Sequence, residues 1–159
     1  MWRLSCWLAV AGAATSACSS VVAGHHAPPP AKSTMSRDLR EHPGVPFVLP
    51  VETPDGFRFV MSTPRTGVNG YTTARGVAFA SSPGRSASSV DFCIERHAPS
   101  RRICRVDADP GPRETIISRS LRDLVVRIRI SGASPSAVRA WRTVRLTSDL
   151  DAATWLEAS

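Results

Sequence analysis

Cysteine and histidine are the side chains of widest chemical reach in this sequence, and their spacing narrows what they can do. Cys93 and Cys104 stand close in the chain with His97 between them, and no histidine follows His97. Two thiolates and one imidazole do not complete the four-ligand set of a structural zinc site, and the pair His25–His26, in a proline-rich tract, has no third ligand nearby. A thiol nucleophile needs a positioned base, and His97, beside Pro99, occupies a turn-like stretch that suits an exposed loop residue. The chain carries no G-x-S-x-G, no H-E-x-x-H and no phosphate-binding glycine loop, and Asp107 and Asp109, just before Pro110–Gly111, read as turn residues. No catalytic residue, metal or cofactor is therefore expected. A disulfide remains for Cys93 and Cys104, provided the chain reaches an oxidising compartment.

The N-terminus supplies that compartment. After Arg3 the chain runs uncharged from Leu4 to Ala17, too short for the roughly 20 residues that cross a membrane, and residues 1–17 read as an export signal. The stretch Thr15-Ser16-Ala17-Cys18 that ends it resembles the lipobox of bacterial lipoproteins, where an aliphatic residue, two small residues and a cysteine close the signal. Thr15 stands where that family usually carries leucine. The resemblance implies that the Cys18 thiol takes a diacylglycerol, that Cys18 becomes the mature N-terminus, and that its acyl chains hold the protein at the cell membrane on the extracytoplasmic side. Val21-Val22-Ala23 is an alternative small-x-small cleavage site, which would release a secreted soluble protein beginning at Gly24. Residues 18–36, small-residue-rich with Pro28, Pro29 and Pro30 in a row, read as the acylated cysteine and a tether, leaving residues 37–159 as one domain.

Arginine offers the remaining chemistry. The chain holds 20 Lys+Arg against 13 Asp+Glu, and losing Arg3 with the signal leaves 19 against 13, a net charge of +6. Arg96, Arg101, Arg102 and Arg105 gather at one hairpin end, and Arg127 and Arg129 share the polar face of another. Together they form a candidate patch for an anionic envelope component or a protein partner. No aromatic residues are interleaved as stacking platforms, and the expected compartment holds no nucleic acid, so no nucleic-acid partner is expected.

The elements that must position these groups follow from period-2 alternation. A turn at Arg122–Asp123 sets Leu121 opposite Leu124, Arg119 opposite Val126 and Ile117 opposite Ile128, gathering the apolar residues on one face with Arg119 the single charge among them. A loop at residues 97–100 would set Cys93 opposite Cys104, Ile94 opposite Ile103 and Glu95 opposite Arg102, with Val90, Phe92 and Ile94 inward. A third, weaker hairpin turns at Asn69–Gly70, with residues 57–63 as an edge strand because Pro64 lacks a ladder donor. Ser134–Pro135 opens a helix that presents Ala137, Val138, Trp141 and Val144 on one side and Arg139, Arg142 and Arg145 on the other, although residues 137–146 would also suit a seventh strand. A further helix start falls at Ser148, and Trp141 and Trp155 are expected as core anchors.

The sequence thus predicts an α+β domain: a small antiparallel sheet of about six strands in three successive hairpins, with short C-terminal helices. The function it favours is that of a membrane-anchored envelope binding module. The alternatives are a secreted protein, or an enzyme whose site is assembled from residues distant in the chain.

Overall fold

In the computed structural model, which describes residues 29–67, 69–81, 87–97, 103–104 and 111–157, hydrophobic alternation decides the sheet. The elements run α1 (Lys32–Glu41), β1 (Leu49–Pro50), β2 (Phe57–Thr66), β3 (Thr72–Ser81), β4 (Ser89–Arg96), β5 (Glu114–Leu121), β6 (Leu124–Ser131), α2 (Pro135–Thr143), β7 (Leu146–Thr147) and a 3₁₀ turn at Leu150–Ala152. Five strands form one antiparallel sheet in the order β2-β3-β4-β6-β5, while β1 and β7 make a separate two-stranded ladder. The domain is a β-rich α+β fold.

The β5–β6 hairpin adopts the register that its apolar pattern requires, with Ile117 opposite Ile128 and Leu121 opposite Leu124. Its two-residue turn places Arg122 at φ 55°, the left-handed conformation that tight hairpins demand. On the other side of β6, Val90, Phe92 and Ile94 of β4 face Ile130, Ile128 and Val126. One continuous apolar wall results, with Val90, Ile94, Val126 and Ile128 fully buried.

This pairing corrects the second expected hairpin. β4 is a central strand flanked by β3 and β6, so it does not pair with the segment after His97. Ile103 and Cys104 form a bend, not a strand, and Arg102 lies outside the described residues. The reason is apolar area: β6 offers Leu124, Val126, Ile128 and Ile130 on one face, where the competing segment offers only Ile103. The first hairpin forms with β2 at the sheet edge, as expected. Its ladder closes with Thr66 opposite Thr72, where a two-residue turn at Asn69–Gly70 would bring Thr73, and a bulge beside Arg65 absorbs the difference.

α2 is a helix, capped by the Ser134 hydroxyl accepting from the Ala137 N–H at 3.2 Å, with Pro135 opening it. The chain then turns extended at Leu146 to pair with β1, so the region between residues 137 and 146 is helix first and strand last. The final helical turn is capped by Asp149, not Ser148. Trp141, fully buried, meets Phe57, Phe79 and Phe92 with ring centroids 5.2–5.6 Å away. Its indole N–H has no polar acceptor, but Phe57 and Phe92 stand near perpendicular to it, an arrangement in which a ring face can accept. Trp155 anchors from the rim, its N–H donating to the Pro50 carbonyl at 2.8 Å.

Residues 32–36, expected as tether, belong instead to α1. Met35 and Leu39, one turn apart, supply its core contacts. The Lys32 N–H donates to the Glu157 carbonyl at 3.2 Å, joining the start of the described domain to its end. The chain after α1 lies against β3, and Gly44, at φ 130°, permits the approach: a Cβ there would stand 2.3 Å from the Thr72 carbonyl oxygen.

Candidate functional site

The outer face of the sheet, away from the core, carries the expected disulfide. Cys93 and Cys104 are bonded with Cα atoms 5.6 Å apart, and the bond lays residues 103–104 across the face instead of beside β4. Backbone groups brought over a sheet need partners. Glu95 and Arg127 provide them. Glu95, 4% exposed, accepts with one carboxylate oxygen from the N–H groups of Ile103 and Cys104 at 2.6 and 2.9 Å. Arg127 donates to the Cys104 carbonyl at 2.6 Å, and its second terminal nitrogen stands 4.0 Å from the other oxygen of Glu95. Each charge thus neutralises the other while both grip the backbone between them. The arginine's Nε is left without a partner.

The arginine patch has a different character from the one its spacing suggested. Arg96, exposed, pairs with Asp123 at the β5–β6 turn. Arg127 is committed to Glu95 and Cys104. Arg129 stands opposite Asp91, whose carboxyl is pushed above the ordinary aspartate range by loss of solvent and pulled partly back by the Arg129 charge. Every described member of the patch therefore faces a carboxylate. Arg101, Arg102, Arg105 and Cys18 lie outside the described residues, as do His25, His26, Asp107 and Asp109. His97 is described and exposed, with its backbone N–H on the Asp123 carbonyl at 2.8 Å. Arg119, the lone charge on the apolar face, reaches past it to the Val144 carbonyl and ties β5 to the end of α2.

A second cluster was not singled out in the sequence. Arg75, on the core face of β3 and fully buried, donates to Asp38 at 2.5 Å, to the His42 carbonyl at 3.0 Å and to the Val45 carbonyl at 3.1 Å, over the ring of Phe47 at 4.3 Å. Loss of water lowers the guanidinium's affinity for its proton, and Asp38 opposes that. The second oxygen of Asp38 lies 2.7 Å from His42 Nδ1. A carboxylate holding one imidazole nitrogen is how a general base is oriented. Among the described residues, however, no hydroxyl or thiol is hydrogen-bonded to the His42 ring, so the arrangement works as a lock between α1, residues 42–47 and β3. Parity along β3 carried the signal, since alternation from Val77 and Phe79 places Arg75 inward, where a cation requires an acid.

An open groove of about 870 Å³ lies between residues 51–57 and α2. Val51, Phe57 and Ala140 give it an apolar floor, and Glu52, Asp55 and Arg145 line it with charge. The hydroxyls of Ser134 and Ser136 bond each other at 2.9 Å, and Ser134 also caps α2, so they are already engaged. Among the described residues no three His, Cys, Asp or Glu side chains converge to hold a metal, and no helix is long and apolar enough to cross a membrane.

The fold and these clusters define a β-rich α+β domain whose five-stranded sheet has helices on one face and a disulfide-clamped segment on the other. Comparison with known proteins finds no matching family, curated relative or solved structure.

Proposed function

We propose that this protein is an extracytoplasmic lipoprotein: an interaction module carried on the outer side of a membrane by acyl chains on Cys18. The observation that carries the reading is the Cys93–Cys104 bond, around which a buried carboxylate and guanidinium are organised. Such a bond persists in oxidising compartments and is rare in the cytosol. It agrees with the export signal at residues 1–17, whose apolar run ends against Cys18. The position of α1 adds support: an ordered domain joined at Lys32 to Glu157 leaves residues 19–30 as the spacer that a lipid-attached cysteine requires. Buried Arg75 is committed to Asp38 and backbone carbonyls, and buried Glu95 and half-buried Arg127 to each other and to backbone groups, which favours a scaffold that presents a surface over an enzyme.

The test is metabolic labelling of the full chain with a fatty-acid analogue, followed by membrane fractionation. Wild-type protein is expected to label and sediment with membranes, because two or three acyl chains hold firmly where one binds marginally. Cys18→Ser is expected to abolish the label. A mature N-terminus at Gly24, with protein that washes free in buffer, overturns the anchored reading in favour of the secreted one.

A further inference from the structure

We propose that the outward face of α2, with Arg139, Arg142 and Arg145, is the surface by which the domain lies on an anionic lipid headgroup layer; the inference rests on the lipid-anchored reading for what brings the domain there. α2 buries Trp141 and packs Ala137, Val138 and Val144 against the core, which leaves Arg139 and Arg142 exposed on its outward side, with Arg145 exposed just beyond the helix. These three side chains form no hydrogen bond or ion pair among the described residues. By contrast Arg75 pairs with Asp38, Arg96 with Asp123 and Arg127 with Glu95, Arg129 faces Asp91, and the exposed Arg37 and Arg40 share α1 with Asp38 and Glu41.

The charge on this helix is also undiluted, since α2 contains no acidic residue. Glu52 and Asp55 lie across the groove, whose lining on this side includes Ala137, Ala140, Thr143 and Arg145 but not Arg139 or Arg142, so only Arg145 shares the groove with acids. Unpaired guanidinium groups in a row suit phosphate esters, which accept two parallel N–H bonds from each. Both helices pack on the core side of the sheet, so α1, which receives the tether, and α2 share one layer. Ala31 follows Cys18 by 13 residues, a reach of at most about 45 Å. A tether that short holds the stripe at high effective concentration near headgroups, where contacts too weak to recruit a free protein still orient a bound one. That proximity favours a lipid surface over a soluble acidic partner.

The experiment uses the full chain carrying Cys18→Ser, so that any binding arises from the surface and not from acylation. Co-sedimentation with vesicles of phosphatidylglycerol and phosphatidylcholine is compared with pure phosphatidylcholine at low salt. The chain is expected to favour the anionic vesicles. The triple variant R139S/R142S/R145S should lose about 100-fold in partitioning, at roughly fivefold per arginine near a charged surface. The variant R58S/R65S/R113S, which removes the same charge from exposed positions elsewhere, should lose less than about threefold. Unchanged fluorescence from buried Trp141 checks that the fold is kept. Equal losses from the two triples, or no preference for anionic vesicles, would each overturn the proposal. Fatty-acid labelling of the wild type reads the anchor separately, so failure of the stripe and failure of the anchor give different results.

Discussion

The two faces of the five-stranded sheet are closed by different physics. On the inner face Phe57, Phe79 and Phe92 gather around Trp141, and Ile94, Val126 and Ile128 extend the wall. That face is held by apolar area removed from water, a non-directional effect that accepts many side chains of the right volume. On the outer face Glu95 and Arg127 hold two N–H groups and one carbonyl of residues 103–104. That face is held by direction. A carboxylate displaced by an ångström no longer reaches both donors, and either ion left alone is an uncompensated charge in a low-dielectric site. The inner face should therefore degrade gradually as its side chains are altered, while the outer one fails when one partner is lost.

The largest effect should come from the inner face. Trp141→Ala empties the centre of the aromatic cluster and is expected to cost about 4 kcal/mol, with Trp141→Phe recovering much of it. Denaturant unfolding measures both, and a Phe variant as damaging as the Ala variant would show that the indole's direction, not its volume, matters. On the outer face Glu95→Ala is expected to cost about 3 kcal/mol, because it strands Arg127 and two N–H groups. Reducing the disulfide should itself cost roughly 2 to 3 kcal/mol, given the short loop it closes. The sharper expectation is that the two losses do not add. Once residues 103–104 are no longer pinned over the sheet, Glu95 and the freed N–H groups meet water, and the cost of Glu95→Ala should fall clearly in reductant. Strict additivity would mean that the clamp and the bond act independently.

The same contrast explains what the sequence showed. Alternation in residues 117–130 was enough to place a turn, a register and a face, because a one-residue slip would turn every apolar side chain outward. Ser134–Pro135 announced α2 for an equally local reason. Glu95 was paired with Arg102 in the expected hairpin, whereas it holds Arg127, a residue 32 positions away brought beside it by β4–β6 pairing. That choice was decided by comparing the whole apolar face of β6 with that of a rival segment, a competition no local window displays. α1 escaped notice because its core contribution is Met35 and Leu39 amid polar residues, and its third tie, Asp38 to Arg75, spans the chain. Directional contacts between distant residues leave little trace in periodicity. The arginine patch follows from hairpin ends and strand faces, which do not reveal partners, and its described members face acids.

The smallest expected effect tests whether the outer face carries any charge at odds with its surroundings. Asp91 stands on β4 with Arg129 opposite and Glu114 close enough to act on it, and desolvation outweighs the arginine's pull, so its pKa lies above the ordinary aspartate value. An acid whose folded pKa is raised favours the folded state most when protonated, and that contribution is lost as pH rises through the folded pKa. Asp91 thus opposes folding at neutral pH, in contrast to Glu95, whose carboxylate is needed. Asp91 is exposed, so water screens the effect, and Asp91→Asn should raise stability at neutral pH by at most a few tenths of a kcal/mol and flatten the pH dependence just above the ordinary aspartate range. Thermal melts of both proteins across that window decide it. If Asp91→Asn destabilises at neutral pH, the attraction of Arg129 exceeds the desolvation of Asp91, and the outer face is stabilised by charge pairs beyond the disulfide clamp.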